Sequence, residues 1–304
     1  MLSAPINLQL VRQLFAQPEK IQPSDFFRRE IATRMREKLE LVKIQPSALL
    51  DAGCGELDDL AELQKIYPQT QVFGVDASLA MLQAGKKKQL AAMSTMGRLL
   101  SKWTPAVLRQ EVGQYLLTGD FARLPMANAT VDLIWSNLAL HWHPQPDLVF
   151  AEWRRVLRTE GLLMFSCLGP DSLTELREAF AKVDDLPHTL PFVDMHDFGD
   201  MLVNAGFSTP VMDMEKITLT YGDAGKLLQD VRALGGNPLM TRRQGLFGRQ
   251  AYKGLVAALE QRRDSRGRIN LTLEVVYGHA FRPVSRKTAA GEAIVRFDLP
   301  KKSP

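Results

Sequence analysis

Cysteine is nearly absent: Cys54 and Cys167 are the only two in 304 residues. They can build neither a disulfide framework nor a cysteine-based metal cluster, and both read as small core or loop residues. Long apolar runs are missing too, since none approaches the roughly 20 residues that span a bilayer. The opening MLSAPINLQLVRQLF has no charged start and no long apolar block of the kind that directs secretion, so a cytoplasmic chain away from membranes is expected. Nor is there much charge of one sign. The 38 basic and 34 acidic residues leave a net +4, too small an excess to indicate nucleic acid. With 45% hydrophobic and 24% charged residues, the chain is of ordinary globular composition. His141 and His143 alternate rather than share a helical face, and no other His/Asp/Glu grouping has ligand spacing, so no metal is expected.

What is present is organised around ALLDAGCGELDDL, from Ala48 to Leu60. Ala48, Leu49 and Leu50 suit a strand buried on both faces. Gly53 and Gly55 let the backbone turn tightly and approach a ligand, and Asp58 and Asp59 suit a helix N-terminus. Upstream, a helix is expected over Leu8 to Phe15 and a longer one over Phe26 to Val42, after the start signal at Pro23 to Asp25. On the second, Phe27, Ile31, Met35, Leu39 and Val42 repeat at helical spacing, while Arg28, Arg29, Arg34, Arg36 and Lys38 cover much of the rest. Such a helix is either a packing element with a solvated face or a basic lid, and residues 1–43 are assigned as an N-terminal helical segment.

From Ser47 onward, strand and helix alternate. Strands are expected at Ser47 to Asp51, Gln71 to Asp76, Tyr115 to Thr118, Val131 to Ser136 and Gly161 to Cys167, with helices from about Leu57, Ser78 and Pro146 between them. The pattern predicts an α/β fold with a parallel sheet wrapped by helices. Downstream it continues with helices Asp171 to Lys182, Met195 to Asn204, Ala224 to Leu234 and Gln244 to Arg262, and strands Pro210 to Tyr221 and Asn270 to His279.

Ligands of such sheets sit beyond the carboxyl ends of the strands. There the sequence places Asp51 to Gly55, then Asp76 and Ala77, then Gly119, Asp120 and Phe121, then Ser136 and Asn137. A dinucleotide fingerprint needs a third glycine three residues after Gly55, where Asp58 stands, and an acid there suits pyrophosphate poorly. A ligand with a ribose and no phosphate fits better, and S-adenosylmethionine is one. Asp76 is placed to accept from both ribose hydroxyls, Asp51 or the Gly53 carbonyl to face an ammonium, and Asp120 with the Phe121 amide to hold an adenine edge. Each has a plainer alternative: a helix cap for Asp76, an Asx turn for Asp120.

The segments LLDAGCG, VFGVDAS, GDFARLP, VDLIWSNLALHW and RRVLRTEGLLMFS, in that order over residues 45–170, resemble the class I S-adenosylmethionine-dependent methyltransferases. The resemblance implies a Rossmann-like, seven-stranded and mostly parallel sheet with its last strand antiparallel. It also implies S-adenosyl-L-methionine as cofactor, bound by Asp51, Gly53, Cys54, Gly55, Asp76, Ala77, Asp120, Phe121 and Asn137. One departure stands out: Leu57 occupies the place where the family usually carries a third glycine. Further segments, SNLALHW, GPDSLTEL, Pro187-His188 and DVRALGGNP, are similar to the malonyl-[acyl-carrier protein] O-methyltransferases of biotin synthesis. PFVDMHDFGDMLVNAGF and YGHAF look more like mitochondrial complex I assembly factors that hydroxylate a protein arginine. A protein-modifying relative, or an assembly module that has lost cofactor binding, is therefore the alternative.

The first resemblance implies the acidic substrate malonyl-acyl carrier protein. A malonyl carboxylate, with a pKa of about 4, is already ionised at neutral pH and needs no general base. It needs an orienting cation, for which Arg232 is the candidate unless it pairs with Asp230 or Asp223. Trp142 could wall the pocket and His141 hydrogen-bond the acceptor carbonyl. The methyltransferase domain is set at 44–282, with a basic helical insert at 85–114 that suits an acidic carrier, substrate-side helices at 168–262 and a tail at 283–304.

Overall fold

The computed structural model describes residues 4–92 and 114–284. Seven strands form one sheet in the order β3-β2-β1-β4-β5-β7-β6. They are β1 (Ala48–Ala52), β2 (Gln71–Asp76), β3 (Gln114–Thr118), β4 (Val131–Ser136), β5 (Leu157–Leu168), β6 (Ser208–Tyr221) and β7 (Ile269–Phe281). Neighbours from β3 to β5 are parallel, and β7 runs antiparallel to both β5 and β6. This is the expected mostly parallel sheet with its last strand reversed. All five residues of β1 are buried, because helices cover both faces of the sheet there. The edge strand β6 instead alternates partly buried and exposed residues, and carries Asp213, Glu215 and Lys216, charges that discourage further pairing at an open edge.

The helices are α1 (Leu8–Leu14), α2 (Pro18–Ile21), α3 (Asp25–Glu40), α4 (Asp58–Ile66), α5 (Leu79–Ala92), α6 (Pro146–Val156), α7 (Thr174–Ala181), α8 (Met195–Asn204), α9 (Ala224–Ala233) and α10 (Arg249–Glu260). On α3 the apolar repeat does face the core, with Phe27, Ile31, Met35 and Leu39 all buried. Its outer charges find partners instead of standing free. Arg34 pairs with Glu215, and Lys38 lies 2.5 Å from Asp213.

Several boundaries change: the strand expected from Gly161 starts at Leu157, and the helix expected from Asp171 at Thr174. The helix expected from Gln244 starts only at Arg249, because Gly245 and Gly248 each forfeit about 1 kcal/mol of helix propensity and Gly248 takes an extended N-cap conformation. Between α1 and α3 the chain adds the single turn α2, with Pro18 at its first position, and a 3-10 turn at Gln22–Ser24. Most of the basic insert expected at 85–114 lies outside the described residues. Lys86, Lys87 and Lys88 belong to α5, where Lys88 sits 2.7 Å from Asp58. The tail beyond residue 284 also lies outside the described residues. Among the described residues no helix is long and apolar enough to cross a membrane.

Candidate active site

The carboxyl ends of β1, β2 and β4 open into a cleft holding about 950 Å³ of free space, part of it open to solvent. The turn after β1 forms its floor. Gly53 and Cys54 donate their amides to the Val75 carbonyl at 2.8 and 3.1 Å, which bends the chain across the end of β2. Gly53 has φ +87°, and a Cβ there would lie 2.3 Å from Cβ of Ala139, so only glycine fits.

Leu57, at the position of the missing glycine, adopts φ +67° and ψ +17° with its side chain wholly buried. The left-handed conformation costs a leucine about 1–2 kcal/mol, and burial of the side chain more than offsets this. Leu57→Gly should therefore lower stability by about 2 kcal/mol, whereas Leu57→Ala, which keeps the backbone cost and loses the packing, should lose about 3–4 kcal/mol. Urea unfolding that ranks glycine below alanine in stability would refute this account.

Three aspartates meet in the cleft. Asp76 spans the loop: Oδ2 accepts from the Gly55 amide at 2.9 Å and Oδ1 from the Ser78 amide at 2.8 Å. Asp51 is buried, and its Oδ2 has no hydrogen-bond partner. Asp59, on the first turn of α4, accepts from Nε1 of Trp135 at 3.1 Å. Burial raises the pKa of all three, and for Asp51 the charges of Asp59 and Asp76 push it well above the usual carboxylate range. Asp59 lines the cleft although it stands outside the strand-end pattern that marks the other site residues. Its only sequence signal is its place on the second helical residue, from which a side chain reaches back toward the preceding loop.

The remaining wall comes from the N-terminal segment and the loop after β4. Phe15 and Arg28 lie over the cleft, held by the Phe15 carbonyl accepting from Oγ of Ser78 at 2.9 Å. The side-chain amide of Asn137 donates to the Arg28 carbonyl at 3.0 Å. In all, six acidic side chains and three arginines line the cleft. An electronegative cleft with an unpaired buried carboxylate oxygen calls for a cation and rejects a pyrophosphate.

Of the expected cofactor residues, Asp51, Gly53, Cys54, Gly55, Asp76, Ala77, Phe121 and Asn137 line this cleft. Asp120 does not: its Oδ1 accepts from the Ala122 amide at 2.9 Å in an Asx turn, and lies 3.9 Å from Nε2 of His143. Cys54 is buried with its thiol pKa raised, which keeps it neutral.

The substrate-side expectations divide. Trp142 lines the cleft and also a second cavity, floored by apolar residues such as Leu173, Leu176 and Leu228 and reached by Arg232. Arg232 is exposed, and it pairs with neither suggested acid. Asp230 is taken by Lys226 at 2.6 Å, and Asp223 caps α9 through the Lys226 amide. His141 lines neither space. The turn Leu140–Trp142 is a 3-10 turn, whose successive side chains diverge by about 120°. Trp142 therefore faces the cavities while His141 packs beneath it, 5.0 Å from its ring and 5.7 Å from Phe192. There burial lowers its pKa to about 3, so it is neutral at physiological pH.

Residues 50–165 match the family model described as a methyltransferase domain. A malonyl-[acyl-carrier protein] O-methyltransferase from Laribacter hongkongensis is 44% identical over 273 residues, covering 88% of each chain. It belongs to the malonyl-[acyl-carrier protein] O-methyltransferase family. A relative of the same name from Gallionella capsiferriformans is 43% identical and covers 96% of both chains. That match takes in PFVDMHDFGDMLVNAGF and YGHAF, the segments that resemble the assembly factors. Among solved structures, the YcgJ protein of Bacillus subtilis superposes with a TM-score of 0.54 at 14% identity, covering 83% of this chain and 98% of its own. Phosphoethanolamine N-methyltransferase 2 of Haemonchus contortus gives 0.53 at 14% identity, covering 90% of this chain and 60% of its own. These two show the shared fold. For this family, S-adenosyl-L-methionine is the cofactor, and the cleft fits it. The unpartnered Oδ2 of Asp51 suits the ammonium, Asp76 the ribose hydroxyls, and the surplus of carboxylates the cationic sulfur.

Proposed function

We propose that this protein transfers a methyl group from S-adenosyl-L-methionine to the free carboxylate of malonyl-acyl carrier protein, giving the methyl ester that serves biotin synthesis, and that it works in the cytoplasm. The observation that carries this reading is the 44% identity with the Laribacter enzyme over 88% of both chains. The geometry agrees with it: an anionic cleft adjoins an apolar cavity with arginines among its lining residues, and Trp142 stands between them.

Bound S-adenosylmethionine supplies an electrophilic methyl on positive sulfur. The residues have two tasks, alignment and exclusion of water. The acceptor carboxylate is ionised at neutral pH without help, so no general base is required of the residues around it. Arg232 would hold the carboxylate by a charge-assisted contact, and Trp142 would keep its oxygen about 3–3.5 Å from the methyl while displacing solvent. Asp51, Asp76 and Asn137 would hold the cofactor.

Incubating the purified protein with malonyl-acyl carrier protein and methyl-labelled cofactor should transfer label to the carrier as a base-labile ester. Rescue of a biotin-requiring strain that lacks its own methyltransferase should follow. Intact cofactor binding with no carrier-bound ester would overturn the reading.

A further inference from the structure

The mouth of the second cavity has a chemistry that its floor does not explain. The floor is apolar and buried, with Leu173, Leu176 and Leu228 each less than a tenth exposed. Its exposed lining residues are Arg232, Gly236, Arg243, Gly245 and Tyr252, which mark the opening. Tyr252 lies on the first turn of α10, three residues after Arg249 and one before Lys253. Arg249 is the surface neighbour of Tyr252, three residues on, and of Lys253, four residues on, which sets the two cations on the exposed side of α10 next to the residue that lines the opening. Arg232, Arg249 and Lys253 are exposed, and none has an acidic partner among the described residues. Two nearby cations are paired instead, Arg243 with Asp184 at 3.2 Å and Arg262 with Glu178.

Beside these charges the loop before α10 displays two large apolar side chains, Leu246 at 94% exposure and Met240 at 58%. A leucine so exposed in the loop that leads into these unpaired cations is suited to a partner that is acidic and carries a small apolar contact. The cavity beyond is lined at one side by Trp142, which also lines the cofactor cleft. An acyl group carried on a long arm must enter by such a cavity, with its protein remaining outside.

The geometry points to the face formed by the 240–248 loop and the first turn of α10 as the docking surface for the acidic carrier protein, whose acyl-bearing arm enters past Arg243 and brings its terminal carboxylate to Arg232 and Trp142. This rests on the proposed substrate, and it names the site at which that substrate's protein part is held. The cations steer the encounter and set affinity, while the chemistry proceeds at the far end of the cavity, so the surface governs KM and not kcat.

The test is the double charge reversal Arg249→Glu with Lys253→Glu, at positions that line neither space. Acidic residues near the start of α10 favour its dipole, so the variant should fold, and a thermal melt by circular dichroism checks this. Calorimetry should show malonyl-acyl carrier protein binding about 10-fold more weakly than to the parent, with the difference shrinking as salt is raised. Methyl transfer to malonyl-coenzyme A, which has the arm and no carrier protein, should stay within twofold. Unchanged carrier affinity in the folded variant would overturn the docking surface, as would an equal loss with malonyl-coenzyme A. Salt-sensitive carrier binding without ester formation by the parent would overturn the proposed reaction and leave the surface standing.

Discussion

Asp51→Asn is expected to weaken S-adenosylmethionine binding by about 100-fold while leaving the cofactor-free protein more stable. Both effects come from one atom. Oδ2 of Asp51 is buried without a partner, within the field of Asp59 and Asp76. In the empty cleft a carboxylate there has lost its water and gained only repulsion, so the neutral isostere should add on the order of 1 kcal/mol to stability. With cofactor bound the same oxygen would accept from the ammonium, and a charge-assisted bond of about 1.5–3 kcal/mol is lost in the variant. Calorimetry and thermal melts with and without cofactor separate the two effects. A variant that loses stability in the empty state, or binds cofactor within threefold of the parent, would refute this role.

The pH dependence has a definite sign. The folded pKa of Asp51 is raised, by burial first and by Asp59 and Asp76 next. The folded state therefore holds this proton more tightly than the unfolded chain does. The stability that the protonated form contributes is fully present below the unfolded value of about 3.9, and is lost as pH rises through the raised folded value. Cofactor binding runs the other way: the ammonium requires the charged carboxylate, so binding should expel a proton and tighten as pH rises through the same window. Asp51→Asn should flatten the pH dependence of affinity across that window. Asp59 and Asp76, whose pKa values are also raised, would retain whatever slope remains.

How far the sequence reveals this site depends on which link of structure is asked for. The strands Gln71–Asp76 and Val131–Ser136 and the helix Met195–Asn204 coincide with their apolar patterns, because burial on both faces, or on one stripe, writes itself directly into residue order. The floor of the cofactor cleft is legible for the same reason, since strand ends and glycines are local features. Side-chain direction in a short turn is not: His141 and Trp142 are neighbours, and only the 3-10 geometry decides which of them faces the cavity. Asp120 likewise carries the same letter whether it serves a ligand or its own Asx turn. The second cavity was beyond reach, since its lining runs from Trp142 to Leu255 and depends on Gly245 and Gly248 keeping 244–248 out of α10.

Trp142→Ala is expected to cost at least 100-fold in kcat/KM with malonyl-acyl carrier protein. Trp142 is the one described residue that lines both spaces, and its position is fixed from several sides. Phe15 meets its ring edge-on at 5.3 Å. Gly235 lies so close that a Cβ there would come within 2.5 Å of the indole. The ring can thus hold the acceptor against the cofactor with little freedom, and truncation would widen the junction of the two spaces, admit water beside the carboxylate and let it drift. A drift of about 1 Å alone costs about 100-fold. Losing the contacts with Phe15 and Gly235 should also lower stability by about 2–4 kcal/mol, somewhat less than for a fully buried tryptophan because Trp142 is only half-buried. Cofactor affinity, which the proposal assigns mainly to the strand-end aspartates, should fall far less than turnover. That separation distinguishes an aligning wall from a merely structural one, as would partial recovery of kcat in Trp142→Phe at unchanged stability. Equal losses in cofactor affinity and kcat/KM, tracking the loss of stability, would show that the indole only packs.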